Sequence, residues 1–188
     1  MRIADDIAWT NTRPWNPVPT GGLIFAFAFA GFIAYRAFFA GGWVPLVDDA
    51  NFAVHEAGHP LVGMFSNRLA VYGGTFAQIV FPLICMFEFW RRRWTMSYGL
   101  SSIWLGQSLL SVAIYMADAR ARVLPLAGFG KDPQHDWNTI LLRWGLLNQD
   151  ITLANALRVI AWIVIAGALG FLVWRWAREV RETVSDAG

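Results

Sequence analysis

An all-α, polytopic membrane protein with about five transmembrane helices is the fold class this sequence predicts, and three observations predict it. The 188-residue chain is 56% hydrophobic and only 15% charged, with a mean hydropathy of +0.42, more apolar than a soluble domain needs to be to bury one core. Its apolar residues gather into runs of roughly the 20 residues that a hydrocarbon layer about 30 Å thick demands. Eleven tryptophans, several beside arginines as in WRRRW at 90–94 and WRW at 174–176, fit aromatic and basic anchoring at the two membrane interfaces.

The elements follow in order. The first span covers about 21–40, after a proline-rich segment without the basic start and early apolar run of a cleavable signal peptide, so that segment is expected to stay in the mature chain. The second covers about 43–65 and contains two of the three histidines. The third, about 70–90, opens on Tyr72, Gly73 and Gly74; the fourth, about 95–118, closes on MADAR. A polar region over 119–150 follows, including an amphipathic NTILLRWGLL suited to the interface. The fifth span, about 152–176, leads into a charged tail. The expectation is a single helical membrane domain over 1–188, multi-pass in a bacterial cytoplasmic membrane. Basic residues divide almost evenly between the two sides, so charge assigns no orientation.

Several function classes drop out. The arginines flank apolar segments and form no stripe on a soluble face, so no nucleic-acid partner is expected. Cys85 is the one cysteine and forms no internal disulfide. A serine-lysine or serine-histidine nucleophile has no partner, because the spans carry no lysine and both span histidines belong to another motif.

That motif is HEAGH at 55–59. His55 and His59 are four residues apart, so on a helix they lie one turn above each other and both reach one metal ion. Glu56 is rotated about 100° from His55, near enough to act on a water beside the metal without being a ligand. This is the His-Glu-x-x-His arrangement of zinc hydrolases. Ionisable groups at membrane depth are each unfavourable by about 2.5–3.5 kcal/mol, so three together point to something that offsets the penalty, and Zn2+ would do so.

A catalytic zinc typically takes three protein ligands. Asp48 shares the face of His55 but lies about 10 Å away along the axis. Glu88 falls toward the opposite membrane side. Asp118 ends a span parallel to the second, on the side of His59, and is the expected third ligand; His135 and Asp136, in the loop beyond, are the competing ligands. His135, Asp136, Asp132 and Trp137 are also expected to gate the site or meet a partner.

These residues resemble the site-2 protease class of intramembrane zinc metalloproteases. HEAGH in the second span, GGTFAQ opening the third and an aspartate in YMADARARVLPL carry the resemblance over about 43–125. Ala119 and Arg120 stand where that family usually has glycines, and Gln78 where asparagine is common. Pro60 removes a helical hydrogen bond to the Glu56 carbonyl and is expected to kink the helix at the site. The resemblance implies zinc on His55, His59 and Asp118, Glu56 as general base, and a membrane-protein substrate that unwinds locally. It further implies that Gly73, Gly74 and Gln78 lie on a non-helical edge that binds the unwound strand; close helix packing through small residues is the other use of that stretch. Two other functions fit the same residues: a non-catalytic metal- or pigment-binding membrane subunit, and a zinc hydrolase of a non-peptide amphiphile.

Overall fold

The computed structural model describes residues 14–125 and 135–186. Six α-helices form there: α1 (Thr20–Phe39), α2 (Val47–Gly63), α3 (Ala70–Arg92), α4 (Thr95–Ala117), α5 (Asp136–Trp144) and α6 (Asp150–Asp186), with a 3-10 turn at Leu147–Gln149 before the last. No strand occurs among the described residues.

Four of these helices, α1, α3, α4 and α6 with the turn before it, are long and apolar enough to cross a membrane, the pattern of a multi-pass membrane protein. The expected second span is the exception. Helix α2 has 17 residues, about 25 Å at 1.5 Å per residue, short of a hydrocarbon core of about 30 Å. Its sequence explains why. Asp48, Asp49, Asn51, His55, Glu56 and His59 crowd one short helix, which lies against α3 and α4. Two aspartates start it: the Asp48 carboxylate accepts the Val44 N–H at 2.6 Å and Asp49 accepts the Leu46 N–H at 2.9 Å, satisfying donors that a helix start leaves open. The helix continues through Pro60 to Gly63.

Helix α4 is the hub. Its apolar stretch is 67% buried, against 17% to 28% for the other three long helices. Ile103, Leu105, Leu109 and Leu110 of α4 pack with Ile33 of α1 and with Ile165 and Leu172 of α6. Phe25 and Phe38 on α1, Phe76 and Phe87 on α3 and Ile163 on α6 face outward and are exposed, an arrangement that suits lipid and would be a liability in water.

Polar residues on α4 point inward instead, toward α2. Gln107 donates to Asp48 at 2.8 Å and accepts from Asn51 at 2.6 Å; Ser108 and Trp104 donate to the Asn51 oxygen at 3.0 and 2.8 Å. Gln107 and Ser108 thus make the interhelical bonds expected of α4 polar groups inside a bundle. Because each buried partner is satisfied, this network docks the most polar helix against the central one without an uncompensated group.

One end of the bundle is a belt of arginine and tryptophan. Arg93 lies over the rings of Trp15 and Trp90 at 5.1 and 5.4 Å, and Arg92 over Trp94 at 5.2 Å. The HEAGH motif lies toward the opposite end, where α3 begins and α4 stops. There α2 and α3 meet with almost no side chain between them: a Cβ on Gly58 would collide with the Gly73 carbonyl, and one on Gly73 with the Gly58 carbonyl.

Gly58→Ala is therefore expected to destabilise the protein by about 1–3 kcal/mol, the usual effect of overpacking. Gly167→Ala, where an added Cβ meets open space, should be neutral or mildly stabilising in a helix interior. Thermal unfolding midpoints in one detergent check the contrast.

Candidate metal centre

His55 is buried in the seam between α2 and α3, only 8% exposed. Its Nδ1 lies 3.1 Å from the Gln78 side-chain oxygen. Since that oxygen only accepts, Nδ1 carries a proton toward it, and Nε2 faces the other way. His59, one turn on, repeats the device: its Nδ1 donates to the Ala70 carbonyl at 2.9 Å. Fixing one ring nitrogen on an acceptor sets both tautomer and ring orientation, as at metal sites.

Both Nε2 atoms converge on one carboxylate. Asp136 Oδ2 is 3.0 Å from His55 Nε2 and 3.2 Å from His59 Nε2. The three donor atoms lie within 4.8 Å of one another, so His55, His59 and Asp136 form a group that could hold a metal ion. Burial pushes the Asp136 carboxyl up, but the hydrogen bonds from His55 and His59 outweigh it and hold the carboxyl below its ordinary value. It is anionic at neutral pH, as a ligand must be.

The carboxylate that the structure brings to the two histidines is thus Asp136 and not the expected Asp118. Asp118 does reach the same end of the bundle, but α4 stops at Ala117 and the chain curls back around the Asp118 side chain. Its two carboxylate oxygens accept the Val123 and Leu124 N–H groups, each at 3.0 Å, and it faces His135 Nε2 at 3.3 Å. His135, the alternative ligand, is equally committed: it starts α5, its Nδ1 accepting the Asn138 N–H at 3.2 Å. Burial lowers its imidazole below the ordinary value, against the pull of Asp118.

Asp136 reaches the histidines because α5 is fastened from several sides. Trp137, Ile140 and Leu141 are buried against Val112, Ala113 and Met116 of α4 and Ala154 of α6. Asn138 donates to the Ala119 carbonyl at 2.7 Å, and the Asp136 N–H donates to the Tyr115 hydroxyl at 3.0 Å. Gly145 ends the helix with a positive φ of 69°, which glycine adopts without strain. The amphipathic segment expected at the interface therefore docks into the bundle, and Asp136, just ahead of it, faces the two histidines. Trp137 is core and not a gate, and Asp132 lies outside the described residues.

Gly73, Gly74 and Gln78 depart from the expected non-helical edge. All three are buried inside α3 and keep helical backbone, so the stretch is used for close packing. Gly74 also leaves space for an imidazole, since a Cβ there would overlap the His55 ring. Gln78 orients His55 and also donates to the Ser108 carbonyl at 3.5 Å.

Glu56 is half-buried and accepts no hydrogen bond from any described residue. It lines, with His55, Gln78, Ser111 and Tyr115, a cavity of about 270 Å3 that Trp43, Phe52, Ile114 and Leu124 line as well. A carboxylate left free beside two oriented imidazoles is available for proton transfer. Tyr115, to which the sequence reading gave no role, packs edge-on against His55 at 5.8 Å and over His135 at 4.3 Å between ring centroids.

Two substitutions test this arrangement. Gln78→Leu leaves the fold's apolar contacts but removes the acceptor for His55 Nδ1, and metal affinity should fall about 10-fold to 100-fold, as for other lost outer hydrogen bonds. Gly74→Ala should lower it as well by displacing the ring. Chelator competition measures both.

The centre is defined by its own geometry, since the chain matches no family model, no curated protein and no solved structure.

Proposed function

We propose that the protein is an intramembrane zinc-dependent endopeptidase, hydrolysing a peptide bond of a membrane-embedded substrate. One observation carries the reading: two histidines and an aspartate converge on one another, and one of them, His55, lines a cavity together with the uncommitted Glu56. Two imidazole nitrogens and one carboxylate oxygen are a donor set typical of catalytic zinc, and three protein donors leave a position open for water. Zinc bound there would polarise the scissile carbonyl and make water more acidic.

His55, His59 and Asp136 hold their donor atoms rigid through Gln78, Ala70 and the docking of α5. Glu56 takes a proton from the attacking water as its oxygen bonds to the carbonyl carbon. As the C–N bond breaks, Glu56 returns that proton to the departing amine nitrogen, giving a carboxylic acid and an amine, and the acid's proton passes to the amine to leave a carboxylate and an ammonium. The apolar wall of Trp43, Phe52, Ile114 and Leu124 suits side chains from a membrane segment and limits competing water. Since residues 73–78 are helical, substrate would be gripped by this cavity and not by strand addition along α3.

A second reading has its own support. A cavity of about 270 Å3 with an apolar wall also fits the acyl chain of a small amphiphile carrying an amide or ester, cleaved by the same residues.

Glu56→Gln separates chemistry from structure. It is expected to retain metal at wild-type stoichiometry while cleavage of membrane-spanning peptides in proteoliposomes falls at least 100-fold. Retained cleavage would remove Glu56 from the base role; wild-type hydrolysis of acylated amphiphiles but no peptide would favour the second reading.

A further inference from the structure

A carbonyl under attack gains negative charge on its oxygen, and an enzyme gains most from a donor already aimed at that oxygen. None of the described residues lining the cavity is arginine or lysine, so a cationic side chain does not supply this donor. Tyr115 offers a neutral one. It is in the last turns of α4 and lines the cavity beside His55 and Glu56.

The position of its hydroxyl is fixed from outside. The oxygen accepts the Asp136 N–H at 3.0 Å, one residue's width from the Asp136 carboxylate on which His55 and His59 converge. Its ring is held between His55 and His135. A phenol oxygen that accepts one hydrogen bond still has its own proton to give. Among the described residues nothing accepts that proton. The hydroxyl is therefore anchored by its lone pair, and its O–H is free to turn toward the cavity.

We propose that Tyr115 is a catalytic residue, donating a hydrogen bond through its hydroxyl to the substrate carbonyl oxygen as that oxygen gains negative charge. The inference rests on the hydrolase reading above and assigns that reaction an oxyanion donor. Donation and anchoring are separable roles. An anchor acts on Asp136 and so on metal affinity; a donor acts on an oxygen anion bound at the loaded centre.

The experiment uses the full-length protein in detergent, wild type and Tyr115→Phe, with zinc and then acetohydroxamate as probes. Zinc affinity is measured by chelator competition, and acetohydroxamate affinity by calorimetry on zinc-saturated protein. The expected result is one zinc per chain in both proteins with similar affinity, and acetohydroxamate binding about 10-fold to 100-fold weaker in Tyr115→Phe, the loss of one hydrogen bond to a charged oxygen. Peptide cleavage should fall in kcat more than it changes KM. Equal acetohydroxamate affinity in the two saturated proteins would overturn the proposal, as would a loss of zinc affinity that accounts for the whole defect. A wild type that binds zinc and acetohydroxamate but cleaves no peptide would remove the peptidase reading, while the acetohydroxamate comparison would still decide the role of Tyr115.

Discussion

The His55 ring lies buried between α2 and α3 with one nitrogen tied to Gln78 and the other facing Asp136, and most of the fold's unusual choices follow from keeping it there. A buried imidazole that could flip or change tautomer would present its lone pair to the wrong partner. Gly74 leaves room for the ring, Gly58 and Gly73 bring the two helices close enough for Gln78 to reach it, and α5 delivers the carboxylate. Loosening any of these moves the Nε2 atom away from the point it shares with His59.

Placing such a polar helix inside an apolar bundle would be unfavourable without partners. The protein answers with a closed set of hydrogen bonds, Asp48 and Asn51 of α2 with Gln107, Ser108 and Trp104 of α4. The effect reaches beyond stability. Since α4 also carries Tyr115, the same docking sets the register between the HEAGH helix and the hydroxyl that holds Asp136.

Much of this was legible in the sequence. The long apolar runs mark α1, α3 and α4 within a few residues and the start of α6, which runs ten residues past the expected end at 176, and the His-Glu-x-x-His spacing marks two of the three residues of the candidate metal group. The second span misleads because its apolar flanks, WVPLV before and LVGMF after, complete a run of spanning length around a helix of only 17 residues. The third donor misleads for a different reason. Helix direction puts Asp118 at the right end of the bundle, but the exposed N–H groups of the chain just past α4 claim its oxygens. Asp136 depends on a chain reversal and on the docking of Trp137, Ile140 and Leu141, which no local spacing encodes. Glycines 73 and 74 carry no sign in themselves of whether a ligand strand or a neighbouring helix will occupy the space they leave.

Which carboxylate completes the centre decides the chemistry it can perform, and zinc content per chain tests that most directly. Elemental analysis would compare detergent-purified wild type, Asp136→Ala and Asp118→Asn, the last keeping an acceptor for the Val123 and Leu124 N–H groups. The prediction is about one zinc per chain in wild type and in Asp118→Asn, with most of it lost in Asp136→Ala. Zinc retained in Asp136→Ala and lost in Asp118→Asn would contradict it.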